Sequence, residues 1–252
     1  MARLISVHSF RGGTGKSNTT ANVATLLAAE GRRVGVVDLD IQSPGIHVIF
    51  GFDQDRSLEH SLNDYLWGDC ELRDAAHDVT PGLNGSLPGQ VWLVPSSMRP
   101  GDIARVMHEG YDVNRLNEGF RRLIDELALD VLLLDTHPGI NEETLLSIAM
   151  SNALAIVLRP DQQDYQGTRV TVAVAQKLGV PQTVLIVNKA PKAFDPDEIR
   201  ARVEETYGCP VAAVLPHSDE LMVLSSEGVF ALRYPEHELT SLYKNVTAQL
   251  AR

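Results

Sequence analysis

Three observations predict an α/β fold with a mostly parallel central sheet and helices on both faces. Apolar strand-like runs alternate with helix-period segments along most of the chain, as in a sheet covered on two sides. The run Val131-Leu132-Leu133-Leu134 is apolar without a break and too short for a helix, which marks a central strand. Carboxylates and glycine-rich turns follow these runs, at the strand ends where open α/β sheets bind ligands. With 252 residues, 44% of them apolar and 22% charged, one large domain over 1–252 is expected.

The first strand, Leu4-Ile5-Ser6-Val7, leads into Phe10-Arg11-Gly12-Gly13-Thr14-Gly15-Lys16-Ser17 and then a helix over Asn18 to Glu30. A loop of inward-pointing N–H groups ending at a helix N-terminus favours polyphosphate through hydrogen bonds and the helix dipole. Gly12, Gly13 and Gly15 let the backbone approach phosphate, Lys16 adds a point charge, and the Ser17 hydroxyl is a natural Mg²⁺ ligand. The usual G-x-x-x-x-G-K-[ST] pattern wants glycine where Phe10 stands, and a cation, Arg11, precedes the glycine pair.

A second buried run, Val34 to Val37, ends in Asp38-Leu39-Asp40 and the turn Gln42-Ser43-Pro44-Gly45. Short helices are expected over Leu58 to Tyr65 and Glu71 to Ala76, a turn-rich stretch over Thr80 to Gly89, and a strand at Val91-Trp92-Leu93-Val94. Val113, Leu116, Phe120, Leu123 and Leu127 then recur at helical spacing. The central strand closes on Asp135-Thr136-His137-Pro138-Gly139. Helix Asn141 to Met150, strand Ala153 to Leu158, a helix ending near Leu178 and strand Thr183 to Val187 continue the alternation. A helix from Asp195 to Tyr207, strand Val211 to Val214 and a last helix with Leu239, Leu242, Tyr243, Val246 and Leu250 on one side complete it.

The arginine and glycine pair resemble the deviant Walker A loop, K-G-G-x-G-K-[ST], of the MinD/ParA family of P-loop ATPases, and the resemblance covers essentially the whole chain. It implies a P-loop NTPase domain that takes ATP and Mg²⁺. Gly12, Gly13, Thr14, Gly15, Lys16, Ser17 and Asn18 would then bind phosphate, while Arg11 would replace the signature lysine that reaches across a nucleotide-bound homodimer. Asp38 and Asp40 match the D-x-D of the family's first switch: Asp40 orients or activates the attacking water, and Asp38 supports the metal's water shell. Asp135 takes the Walker B place and, with Ser17, holds Mg²⁺. The segment Asp135 to Gly139 resembles the second switch, where His137 departs from the commoner proline or small residue and is given no catalytic role. Asn188 would read the adenine edge. Leu215-Pro216-His217-Ser218-Asp219 resembles the I-P-x-D segment that closes over the base, with the acid one residue late. Leu224-Ser225-Ser226-Glu227-Gly228 resembles the A-x-x-x-G that follows it.

Charge and missing motifs narrow the expectation. A net charge of -11 argues against a surface basic all over and leaves nucleic acid open only through a local patch. Cys70 and Cys209 form no C-x-x-C pair, against an iron–sulfur scaffold. The first strand follows Met1-Ala2-Arg3 directly, so no signal peptide or N-terminal DNA-binding module is expected and the cytoplasm is the expected compartment. From Leu239 onward the only cations are Lys244 and Arg252, so no membrane-insertion tail is expected. The leading expectation is an ATP-dependent homodimerisation switch whose Mg²⁺-dependent hydrolysis controls the positioning or partitioning of a cellular partner, with a protein partner expected to stimulate the ATPase. The alternatives are a nucleotide-sensing module with negligible hydrolysis and a small-molecule P-loop kinase or ligase.

Overall fold

The apolar runs form one eight-stranded sheet in a computed structural model that describes residues 2–53, 58–83, 86–112, 114–224 and 226–252. Its strands are β1 (Arg3–His8), β2 (Arg33–Leu39), β3 (His77–Asp78), β4 (Gln90–Val94), β5 (Val131–Thr136), β6 (Ala153–Leu158), β7 (Gln182–Ala190) and β8 (Val211–Pro216). They lie in the order β3-β4-β2-β5-β1-β6-β7-β8, parallel throughout except for the antiparallel edge pair β3 and β4. Between and after them run α1 (Lys16–Ala29), α2 (Ile46–Ile49), α3 (Leu62–Trp67), α4 (Pro100–Glu109), α5 (Asn114–Glu126) and α6 (Glu142–Met150). They are followed by α7 (Gln162–Lys177), α8 (Pro196–Tyr207), α9 (Asp219–Leu224), α10 (Phe230–Arg233) and α11 (Glu238–Leu250).

Side chains alternate across a strand, so each central strand feeds two cores. Ile5, Val7, Val34, Val36 and Leu133 pack with α1 and α11 through Val23, Leu27, Tyr243 and Val246. Their neighbours Leu4, Val37, Leu39, Leu132 and Leu134 pack on the other face with Leu62, Tyr65, Leu116 and Phe120 of α3 and α5. Farther along that second face, Leu154, Ile156 and Leu185 meet Val172, Ile199 and Val203 of α7 and α8. All six residues of β5 are buried, which explains why its sequence is continuous rather than alternating. The chain crosses from one side of β1 to the other, with β5 and β6 as its two neighbours, and that switch point opens the crevice in which such sheets hold ligands.

Two expectations in the first half change. The helix expected over Leu58 to Tyr65 starts instead at Leu62, because Ser61 and Asp64 form a reciprocal capping box. The segment expected as a helix over Glu71 to Ala76 is a turn, closed by Glu71 N–H on Asp74 Oδ2 at 3.1 Å. Helices α2 and α4 and strand β3 were not expected. Of the positions in the periodic segment before β5, Val113 lies outside the described residues, as do Met1 and Ser225.

Candidate functional site

The glycine-rich loop leaves β1 at the switch point. Gly13 and Gly15 adopt φ of +75° and +95°, in the left-handed region that favours glycine. At Gly15 the need is also steric, since a Cβ there would lie 2.2 Å from Asn188 Nδ2. Gly15 caps α1 without a side-chain hydrogen bond, so the first-turn N–H groups, which have no intrahelical acceptors, face the loop. The result is a cleft of about 190 Å³ lined by Ser9, the backbone from Gly12 to Asn18, Asp40 and Pro138. That is smaller than the roughly 300–1,000 Å³ of a pocket that engulfs a whole small molecule, and suits a phosphate chain. Phe10 does not need glycine's freedom: its φ is not positive, and its ring lies against Gly167 of α7.

Charges converge on the floor of the cleft. Asp38 and Asp135 stand level with each other at the ends of β2 and β5. Lys16 Nζ forms an ion pair with Asp135 Oδ1 at 2.9 Å and lies 4.0 Å from Asp40 Oδ2. Ser17 donates to Asp135 Oδ2 at 2.7 Å and Thr20 to Asp135 Oδ1 at 2.9 Å. Asp38 is fully buried and accepts the N–H groups of Asp40 at 3.0 Å and Gly45 at 3.2 Å, which shapes the turn after β2. Burial first, and the charge of Asp135 second, hold its carboxyl well above the usual carboxylate range.

The other expected residues surround this floor. Asn188 Nδ2 donates to Thr14 O at 2.8 Å and its Oδ1 accepts from Lys189 N–H at 2.8 Å, leaving one amide hydrogen and one lone pair for a base. Pro216 ends the neighbouring strand, in register with Ala190, so Asn188 and Pro216 share one corner. Arg11 lies on the outer rim, its guanidinium 3.6 Å from Asp164 and 3.9 Å from Asp161 at the start of α7.

Two residues enter to which sequence reasoning gave no role. Lys189, with φ of +57°, donates Nζ to Gly13 O at 2.8 Å and braces the loop; its signal was a cation beside an expected base-reading Asn. His137 Nδ1 is 2.7 Å from Asp40 Oδ1, and the bond raises the imidazole pKa. Its signal was its place two residues past Asp135, near the end of β5.

The donor set fits a phosphate with a hard cation. Thr14 Oγ1 and Lys16 Nζ are buried without hydrogen-bond partners, and Ser17 with Asp135 offers adjacent oxygens of the type Mg²⁺ takes. Among the described residues, no group of three or more His, Cys, Asp or Glu is arranged to hold a metal by protein ligands alone, and Mg²⁺ in phosphate sites commonly relies on one or two carboxylates plus phosphate.

A parallel sheet with a phosphate loop after β1, a lysine opening the next helix and an aspartate closing the adjacent strand defines the P-loop NTPase class. The chain belongs to the ParA family, whose model, described as NUBPL iron-transfer P-loop NTPase, matches residues 1–251. An uncharacterized ATP-binding protein of Methanocaldococcus jannaschii is 26% identical over 251 residues, 99% of this chain and 88% of that protein. The septum site-determining protein MinD complexed with Mg-ADP from Pyrococcus horikoshii superposes with a TM-score of 0.82 at 24% identity, covering 99% of this chain and 96% of that one. Cobyrinic acid a,c-diamide synthase from Mycobacterium smegmatis, with bound ADP and magnesium, gives 0.76 at 20% identity over 100% and 95%. At these identities the two structures speak for the fold.

Proposed function

We propose that this protein, a single domain over 1–252, is a cytoplasmic ATP-dependent dimerisation switch whose slow, partner-stimulated hydrolysis of ATP governs the positioning or partitioning of a cellular partner. The observation that carries the reading is the convergence of Lys16, Ser17 and Asp40 in one phosphate-sized cleft, with Asp135 buried behind Lys16 and Ser17, while a further cation, Arg11, stands outside it on the rim. A hydrolase acting alone uses cations within its cleft; a cation on the rim suits phosphates presented by a second copy. The MinD likeness supports positioning as the output, and the fold's use in a diamide synthase keeps a small-acceptor ligase as the competing reading.

In this reading the N–H groups from Gly12 to Asn18 cradle the phosphates and Lys16 neutralises charge on the β and γ groups. Ser17 and Asp135, with Asp38 behind them, would hold Mg²⁺, which would supply neutralisation of the phosphate charge. Asp40 orients the water that attacks the γ phosphorus, and Asn188 with Pro216 flanks the adenine. The iron transfer in the family description finds no C-x-x-C here: Cys70 and Cys209 are both free and pack in separate cores. Among the described residues no helix is long and apolar enough to cross a membrane.

The test is nucleotide titration and phosphate release with and without Mg²⁺. The wild type should bind ATP and release phosphate only with Mg²⁺, and Lys16→Ala should lose nucleotide binding. Tight ATP binding by Lys16→Ala would overturn the site, and strong stimulation of ADP release by small carboxylic acids with ammonia or glutamine would favour the ligase.

A further inference from the structure

We infer that His137 is a positioning residue for hydrolysis, holding the Asp40 carboxylate in its water-orienting pose and tying the loop after β5 to the loop after β2. The inference rests on the role proposed above for Asp40, and adds to it a residue that the sequence marked only as a departure.

A carboxylate orients a water only if its own two torsions are fixed. The backbone of Asp40 is set by its N–H bond to Asp38 Oδ1 at 3.0 Å. Its side chain is set by His137, whose Nδ1 is 2.7 Å from Oδ1. An ionised carboxylate only accepts, so Nδ1 carries the hydrogen and the imidazole tautomer is fixed by the contact. With Oδ1 engaged, Oδ2 is the oxygen that faces the cleft, 4.0 Å from Lys16 Nζ. The pair is sheltered, with side-chain exposures of 14% for Asp40 and 24% for His137, so the bond competes with little water.

His137 is itself anchored on both sides. Asp135, two residues earlier, is fixed by Ser17 and Thr20. Gly139, two residues later, donates its N–H to Ser9 O at 3.0 Å at the root of the phosphate loop. Asn141 then caps α6 by accepting from Thr144 N–H at 2.8 Å. The imidazole therefore hangs from a short segment pinned to the loop that carries the phosphates, and any shift of that segment moves Asp40. A proline or small residue at 137 has no side-chain N–H, so the contact belongs to the histidine.

The experiment is steady-state ATP hydrolysis with Mg²⁺, together with nucleotide affinity, for wild type, His137→Ala, His137→Asn, Asp40→Ala and the double variant His137→Ala/Asp40→Ala. Asn places an N–H donor where Nδ1 stood. His137→Ala should lower kcat about 10- to 100-fold, the scale of a misplaced reacting group, with nucleotide affinity unchanged. His137→Asn should recover most of that loss, and the double variant should be no slower than Asp40→Ala alone. An unchanged kcat in His137→Ala overturns the inference and leaves the hydrolysis reading standing, as does a loss that Asn does not rescue or that adds fully to that of Asp40→Ala. A wild type without Mg²⁺-dependent hydrolysis overturns both.

Discussion

Single residues at the strand ends are arranged so that charge is tolerated only where a partner waits. His8 ends β1, fully buried. Thr136 Oγ1 gives its hydrogen to Val7 O at 3.1 Å, so His8 Nδ1–H must be the donor in the 2.8 Å contact with that hydroxyl. Nε2 is left buried without a partner, and a proton there would be an uncompensated charge near Lys16. Burial, then Lys16, then His137 push the imidazole pKa down to about 3. In the unfolded chain it returns to the ordinary value near 6.5. The unfolded state therefore binds the extra proton between these two values, and stability is lost as pH falls below 6.5. Once that site is fully protonated in the unfolded chain, the loss approaches about 1.4 kcal/mol per pH unit. Denaturation curves at several pH values should show this slope in the wild type and a shallower one in His8→Asn, which keeps an N–H donor at the Nδ1 place. Parallel slopes in the two proteins would remove His8 from the acid response.

Elements were legible where burial enforced their pattern. Every parallel strand falls within three residues of its expected bounds, because Val131 to Leu134 and its neighbours are buried on both faces and tolerate little but apolar side chains. Helix α4 was hidden because it opens Pro-Gly and its apolar stripe is only Ile103, Val106 and Met107, of which Val106 alone is buried. Strand β3 is two residues at an edge, too short for alternation to register. The site was legible as motifs, Lys16, Ser17, Asp40 and Asp135 above all, but the contacts of His137 and Lys189 were not. They depend on which loops meet in space, and one sequence does not encode that in local spacing. Phe10 is intermediate. The sequence shows that it breaks the glycine pattern, and the fold supplies the reason, since Gly167 of α7 leaves room for its ring. A Cβ at 167 would come within 2.1 Å of Phe10 Cδ1. Glycine to alanine within a helix ordinarily gains up to about 1 kcal/mol, whereas overpacking costs about 1–3 kcal/mol. Gly167→Ala should therefore destabilise the fold and weaken nucleotide binding by displacing the loop. Phe10→Ala in the same chain should restore both, and a stabilised Gly167→Ala single variant would show that the ring moves freely aside.

For the whole molecule, the proposed dimer raises the question of how two acidic chains would come together over two anionic ligands. Each copy carries a net charge of -11, so a dimer joined through its nucleotide faces needs cations at the seam. Lys16 is buried within its own cleft, and Lys189 is committed to Gly13 O. Arg11 is placed differently, with its side chain 40% exposed and its ion pairs to Asp161 and Asp164 at 3.9 and 3.6 Å. Asp164 already has a closer partner in Arg159 at 3.1 Å, so releasing Arg11 leaves no bare carboxylate. Rim pairs of this kind are worth about 0–1 kcal/mol, little beside a bidentate guanidinium contact to a triphosphate. The wild type should thus run as a monomer with ADP and as a dimer with Mg·ATP in light scattering. Arg11→Ala should bind ATP with unchanged affinity yet stay monomeric, and a trans arginine of this type would cost about 10³- to 10⁵-fold in stimulated turnover. Arg11→Lys should recover dimerisation in part, because lysine keeps the charge and loses the fork. Asp40→Ala should give the opposite phenotype, a dimer that persists because its ATP is not hydrolysed. If Arg11→Ala dimerises with Mg·ATP and turns it over at the wild-type rate, the rim arginine serves its own chain alone, and the switch must join its copies by some other face.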